Sequence, residues 1–165
     1  MTFRKLSLLA WMLGFLALVP LPFQTVRATE PVEALILVVG TSFPIEDISF
    51  ASVKSAFRGQ RIQVGDRTLI PINHPLNAPT RISFDRLALG LEPAAVGRFW
   101  IDMRIRDQGR PPTAATSPEL ALRIVGALKG AITYATPSAA LDKLPVKVLT
   151  VDNKSVGQPG YALAH

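Results

Sequence analysis

An uninterrupted aliphatic run, Ala-Leu-Ile-Leu-Val-Val-Gly at positions 34 to 40, constrains the fold of this chain more than any other segment. It is too short for a buried helix and rich in β-branched residues, so it predicts a central strand covered on both faces. Such a strand needs apolar layers above and below it, and the residues that follow supply them in alternation.

Asp47 or Ser49 can cap a helix whose apolar positions Phe50, Val53, Ala56 and Phe57 recur at helical spacing, and Gly59 supplies its stop. Gln60 to Arg67 reads as a polar hairpin around Gly65-Asp66 that leads into a strand over Thr68 to Ile72. Pro71 predicts that this strand ends there or lies at a sheet edge. Asn77 or Thr80 can open a second helix, with Ile82, Phe84, Leu87 and Leu89 as its apolar contacts and Gly90 closing it. Pro93 starts a third helix through about Arg106, expected to bury Val96, Phe99, Trp100 and Met103.

After a stiff Asp107 to Pro112 loop, Ser117 and Pro118 open a fourth helix, with Leu120, Ile124, Val125 and Leu128 expected against the sheet. Gly130 to Ala135 and Val146 to Val151 read as short strands, and residues 153 to 165 as a loose tail. The alternation predicts an α/β fold, a mixed sheet with helices on both faces.

Residues 1 to 28 read as a secretory signal. Arg4 and Lys5 form a positive start, Leu6 to Phe23 is uncharged and mostly apolar, and Val26-Arg27-Ala28 offers a cleavage position. An uncleaved membrane anchor is the competing reading of the same run, and it is the one route to a membrane. Cleavage leaves a packed domain from residue 29 to 152 plus the tail, enough for one core and too short for two. With no cysteine in the chain, a lipid-modified cysteine anchor and disulfides are both excluded. Without Arg4, Lys5 and Arg27, 15 basic residues stand against 12 acidic ones, scattered along the chain. Nucleic acid is therefore not an expected partner.

Enzyme readings fail on inventory. The two histidines, His74 and His165, sit in no zinc-ligand spacing, so neither a metal nor another cofactor is expected. No serine lies in a Gly-x-Ser-x-Gly elbow, and no glycine-rich phosphate loop occurs. A hydrolytic alternative rests only on the scattered carboxylates Asp85, Asp102 and Asp107. The most favourable ligand region is His74 to Arg81, where a strand end meets a helix start and backbone N–H groups can receive an anion. Within it, His74, Asn77, Thr80 and Arg81 are the candidate contacts. Thr41 and Ser42, after the first strand, are candidates on the ground that strand ends of such sheets face a ligand crevice.

Four signatures occur in one order: Ala56-Phe57-Arg58-Gly59, Phe99-Trp100, Gly109-Arg110-Pro111-Pro112, and Gly130-Ala131-Ile132-Thr133-Tyr134. With Pro71-Ile72 and Thr80-Arg81-Ile82-Ser83-Phe84 between them, the arrangement resembles the periplasmic substrate-binding proteins of phosphate ABC transporters over roughly residues 34 to 152. The resemblance is to short, single-lobe proteins that match the C-terminal half of those receptors, and this chain looks like a divergent member. It implies one lobe of the type II periplasmic-binding-protein fold, an exported and periplasmic location, and binding of a small oxyanion such as phosphate.

The family's arginine and Ser-Gly-Thr contacts align with His74, Ala78, Pro79 and Thr80, so only the threonine is kept and a weaker grip is implied. Val64 stands where the family has tryptophan, Ile105 and Asp107 replace Phe-x-Gly, and Thr133 replaces a glycine. A bound anion is expected to be exposed and weakly held unless a homodimer or another envelope protein supplies the missing wall. The alternative function on the same fold is a ligand-free envelope module that interacts with a protein partner. Phe57, Trp100 and Tyr134 are expected in the core.

Overall fold

The computed structural model describes residues 34 to 137 and 140 to 165, so the expected signal over residues 1 to 28 lies outside the described residues. Strand β1 (Ile36–Gly40) forms from the aliphatic run and pairs antiparallel with both β7 (Ala131–Ala135) and β8 (Val146–Val151). Beyond β7 lies β5 (Ile70–Asn73), parallel to it, and then β6 (Thr113–Ala114), parallel to β5. On the other flank β2 (Asp47–Ile48) runs parallel to β8. The result is a mixed six-stranded sheet in the order β2-β8-β1-β7-β5-β6.

Successive β1 side chains point to opposite faces, and each face has its own core. Leu35, Leu37 and Val39 join Ile132, Tyr134, Leu149 and Val151 under α1 (Phe50–Phe57) and α2 (Pro79–Phe84). Ile36 and Val38 instead meet Ala121, Leu122 and Val125 of α4 (Pro118–Ala127). Helices thus cover both faces. The α4 face is rotated from the expected one: Ala121, Leu122 and Val125 are buried, whereas Leu120 and Leu128 are exposed.

Tyr134 is the centre of the first core. Its ring stacks on Phe84 at a centroid distance of 4.0 Å and an interplanar angle of 6°, with Phe57 tilted at 5.7 Å. Such pairs contribute roughly 0.5–1.5 kcal/mol beyond their area burial. Phe57, Trp100 and Tyr134 are all buried, as their positions in the sequence predict.

Helix α1 begins at Ser49, whose hydroxyl accepts the Ser52 N–H, and ends before Gly59 at φ +84. The polar hairpin forms as β3 (Gln63–Val64) against β4 (Arg67–Thr68). Pro71 neither ends β5 nor marks an outer edge. The N–H of Ile70 is donated toward β7, to Gly130, so Pro71 turns its nitrogen toward β6, whose pairing starts only at Ile72. No ladder bond is lost. The second helix starts at Pro79, after Ala78, and continues as a π-helical turn over Asp85–Leu89 to Gly90 at φ +67.

Helix α3 (Pro93–Ile105) fully buries only Val96 and Trp100, whereas Phe99 and Met103 are half-buried. Residues 153 to 165 correct the expectation of a loose tail. The turn at Asp152 and Asn153, both at positive φ, sends the chain back over the first core. There Tyr161 and Leu163 are buried, and the Leu35 N–H donates to the Leu163 carbonyl at 2.8 Å. The polar turn masks three closing residues, Tyr161-Ala162-Leu163, that belong to the domain.

Candidate functional site

Strands β5, β6 and β7 run parallel, so their C-terminal ends share one edge of the sheet, where α2 and α4 begin. A crevice of about 350 Å³ opens there, walled by His74 and Thr80, with Glu119, Arg123 and Lys143 around it. His74 follows β5 directly and is fully buried. Its Nδ1 lies 2.6 Å from Thr80 Oγ1, its ring packs on Tyr134 at 4.4 Å, and its backbone N–H donates to Tyr134 Oη at 3.2 Å. Its Nε2 has no hydrogen-bond partner among the described residues.

Burial first, and then the positive charge of Arg81, depress the His74 pKa to about 4, while Glu119 pulls weakly the other way. The imidazole is therefore neutral at pH 7 and offers a dipole. With the Thr80 hydroxyl donating to Nδ1, the proton sits on Nε2, which becomes a donor; in the opposite tautomer Nε2 accepts. Only the first arrangement leaves Nε2 a donor to an acceptor in the crevice.

Arg81 does not face solvent or this crevice. Its Nε donates to Asp85 Oδ2 at 2.7 Å and its Nη1 to the His74 carbonyl at 3.3 Å, with both side chains of the ion pair about 4% exposed. Burial pushes the Asp85 carboxyl up, against the opposing pull of Arg81. The guanidinium is thus neutralised within the fold and fixes the backbone of His74. Asn77 is exposed on the turn and does not line the crevice.

Thr41 and Ser42 are separated from the others by strand direction. Ile36 of β1 faces Ala135 of β7, and Val39 faces Ile132, so β1 ends where β7 begins. The two hydroxyls consequently sit at the opposite sheet edge from His74, about 17 Å away along a five-residue strand. The Thr41 N–H donates to the Pro145 carbonyl at 3.0 Å, prolonging the β1–β8 pairing, and the turn closes with the Phe43 N–H donating to the Gly40 carbonyl at 2.9 Å. Thr41 and Ser42 are candidates because strand ends of such sheets face a ligand crevice, and the antiparallel β1–β7 pairing puts the end of β1 at the other edge.

The start of α2 offers few free backbone donors. Pro79 has no N–H, and the amides of Arg81 and Ile82 already donate to the Ala78 carbonyl. Cationic groups come instead from Arg123 on α4 and Lys143 in the short 3₁₀ turn Leu141–Lys143, both exposed at the crevice. Glu119 opposes them. A hydrogen bond with the Ser117 side chain, and then one with its own backbone amide, hold its carboxyl below the usual range. None of these three was legible as a site residue, because only the parallel β5-β6-β7 topology carries the start of α4 to this edge. Glu119 just after the Ser117 cap is the one local signal. Among the described residues, no group of three or more His, Asp or Glu is placed to hold a metal ion. Asp85 is engaged by Arg81, while Asp102 and Asp107 are exposed on and after α3, so these carboxylates do not form a cluster with His74.

No family model matches the sequence, and no curated protein matches it. Solved structures do match. An ABC-type phosphate transport receptor from Vibrio cholerae superposes with a TM-score of 0.57 at 17% identity, over 74% of this chain and 47% of the receptor. The fold is shared with phosphate transport receptors. A putative phosphate ABC transporter substrate-binding protein from Clostridium perfringens, solved with bound phosphate, gives 0.57 at 16% identity over 74% and 46%. A possible phosphate binding protein from Planctomyces limnophilus gives 0.53 at 14% identity over 80% and 45%. The chain spans about half the length of these proteins. Among its described residues, no helix is long and apolar enough to cross a membrane.

Proposed function

We propose that this chain is an exported, non-enzymatic solute-binding domain that takes a small oxyanion, phosphate in the first instance, at the crevice lined by His74 and Thr80. The observation that carries the reading is the fully buried His74, its Nε2 without a partner, beside a crevice that also holds Arg123 and Lys143. The half-receptor fold supports it, since the chain is similar to proteins whose names state phosphate transport or binding.

One wall leaves a bound anion open to water, where a charge pair contributes little, and Glu119 subtracts from the attraction. Binding on the order of millimolar, about −4 kcal/mol, follows. The periplasm is the proposed location, through the N-terminal segment read as a signal. Calorimetry of the protein with phosphate and with sulfate tests the ligand claim. A weak saturable heat that disappears in the Arg123→Gln/Lys143→Gln double variant supports it, and no heat with either anion removes it.

A further inference from the structure

A second cavity, also about 350 Å³, lies on the other side of α2, between it, α3 and the β6 edge of the sheet. Its wall is mainly apolar: Ile82 of α2, Val96 and Trp100 of α3, and Pro112 before β6. Two polar groups in that wall are unusual. Asp85 Oδ1 and Trp100 Nε1 are both buried, and neither has a hydrogen-bond partner among the described residues. A buried polar group without a partner is destabilising, so a fold that keeps a lone acceptor and a lone donor beside one cavity gains by filling both.

The charge of the cavity selects the ligand class. Arg81 is paired with Asp85 at 2.7 Å, and these are the charged residues of the lining, so the wall carries no net charge to favour an ion of either sign. Helix α3 can yield to admit a guest, because only two of its 13 residues are fully buried. We propose that this cavity binds a small uncharged ring compound carrying a hydrogen-bond donor and an acceptor side by side, as a primary aromatic amide does. The amide N–H is donated to Asp85 Oδ1, the carbonyl accepts from Trp100 Nε1–H, and the ring lies among Ile82, Val96 and Pro112. The volume is at the small end of the range for such pockets, which suits a single ring. This site is independent of the oxyanion crevice.

Benzamide is the probe, with toluene as its apolar counterpart, titrated into the ¹⁵N-labelled full chain and followed by NMR. Trp100→Phe identifies which indole N–H belongs to Trp100. Gly97→Leu is the plugging variant, since a Cβ at Gly97 of α3 meets no atom within 4 Å, yet the residue lines the cavity. The expected result is a saturable shift of the Trp100 indole N–H at millimolar benzamide, abolished by Gly97→Leu in a protein whose remaining amide spectrum is unchanged. Trp100→Phe keeps the aromatic wall and removes the donor, so benzamide, read from the Val96 amide, weakens at least about fivefold while toluene does not. No saturable shift up to about 10 mM benzamide overturns the proposal. So does a shift that survives Gly97→Leu, or toluene binding as tightly as benzamide.

Discussion

Thr80 Oγ1 lies 2.6 Å from His74 Nδ1 and so fixes the orientation of a buried imidazole whose other nitrogen is unpartnered. Hydroxyl and ring are six residues apart in sequence, one at the end of a strand and the other in the first turn of a helix. The neutral ring they share is a structural commitment with a pH signature.

The His74 pKa is near 6.5 when unfolded and about 4 when folded. Between those values the unfolded chain takes up a proton that the folded chain refuses, so stability is full above pH 6.5 and falls as pH drops toward 4. The loss is about 3 kcal/mol. Asp85, with its folded pKa raised, contributes in the opposite sense, so comparison with a variant isolates the histidine. Urea denaturation at several pH values is expected to show a shallower acid slope for His74→Gln than for the parent. Equal slopes over pH 6.5 to 4 contradict the buried neutral imidazole.

Arg81 and Asp85 stabilise each other only as a pair. Arg81→Met alone strands a buried carboxylate and is expected to cost about 3–5 kcal/mol, whereas Arg81→Met/Asp85→Leu recovers most of it. Thermal denaturation of both variants measures the difference. A double variant no more stable than the single one shows that the arginine acts chiefly through the His74 carbonyl.

Two of the ordered sequence signatures meet at Gly59. A Cβ there stands 2.5 Å from the Arg110 carbonyl oxygen and 2.9 Å from its nitrogen, at φ +84. Gly59→Ala is expected to cost roughly 3 kcal/mol, since strain and a backbone clash add. Gly65→Ala, at φ +60 with open space around it, is expected to cost only about 1 kcal/mol. Equilibrium urea unfolding separates the two; similar losses refute the close approach.

Leu163 reports on the C-terminal closure. It is fully buried in the first core, so Leu163→Ala is expected to cost about 2–5 kcal/mol, where a loose tail would give none. Denaturant midpoints of the two proteins decide between these.

The layer structure was legible because its signals are local: the β1 run, the Ser49 and Ser117 caps, and the Gly59 and Gly90 stops all form where the residues predict. Thr133 is satisfied in the core by a contact no local pattern encodes, since its Oγ1 hydroxyl donates to the Ile72 carbonyl of β5, 61 residues away, at 2.8 Å. The candidate site was legible only in part. His74 and Thr80 meet as neighbours on one strand-to-helix turn, whereas the fate of Thr41 and Ser42 depends on strand direction, which no local pattern encodes. Arg81 was misplaced because an i,i+4 pair reads the same whether it is exposed or buried. Arg123 and Lys143 reach the crevice through contacts between distant elements.

The central claim is tested most directly by the ¹⁵N resonance of His74 Nε2 during titration with phosphate at pH 7.5. The account predicts a saturable shift with a dissociation constant on the order of millimolar, lost in Arg123→Gln/Lys143→Gln. An Nε2 resonance that stays unmoved to about 50 mM phosphate contradicts it.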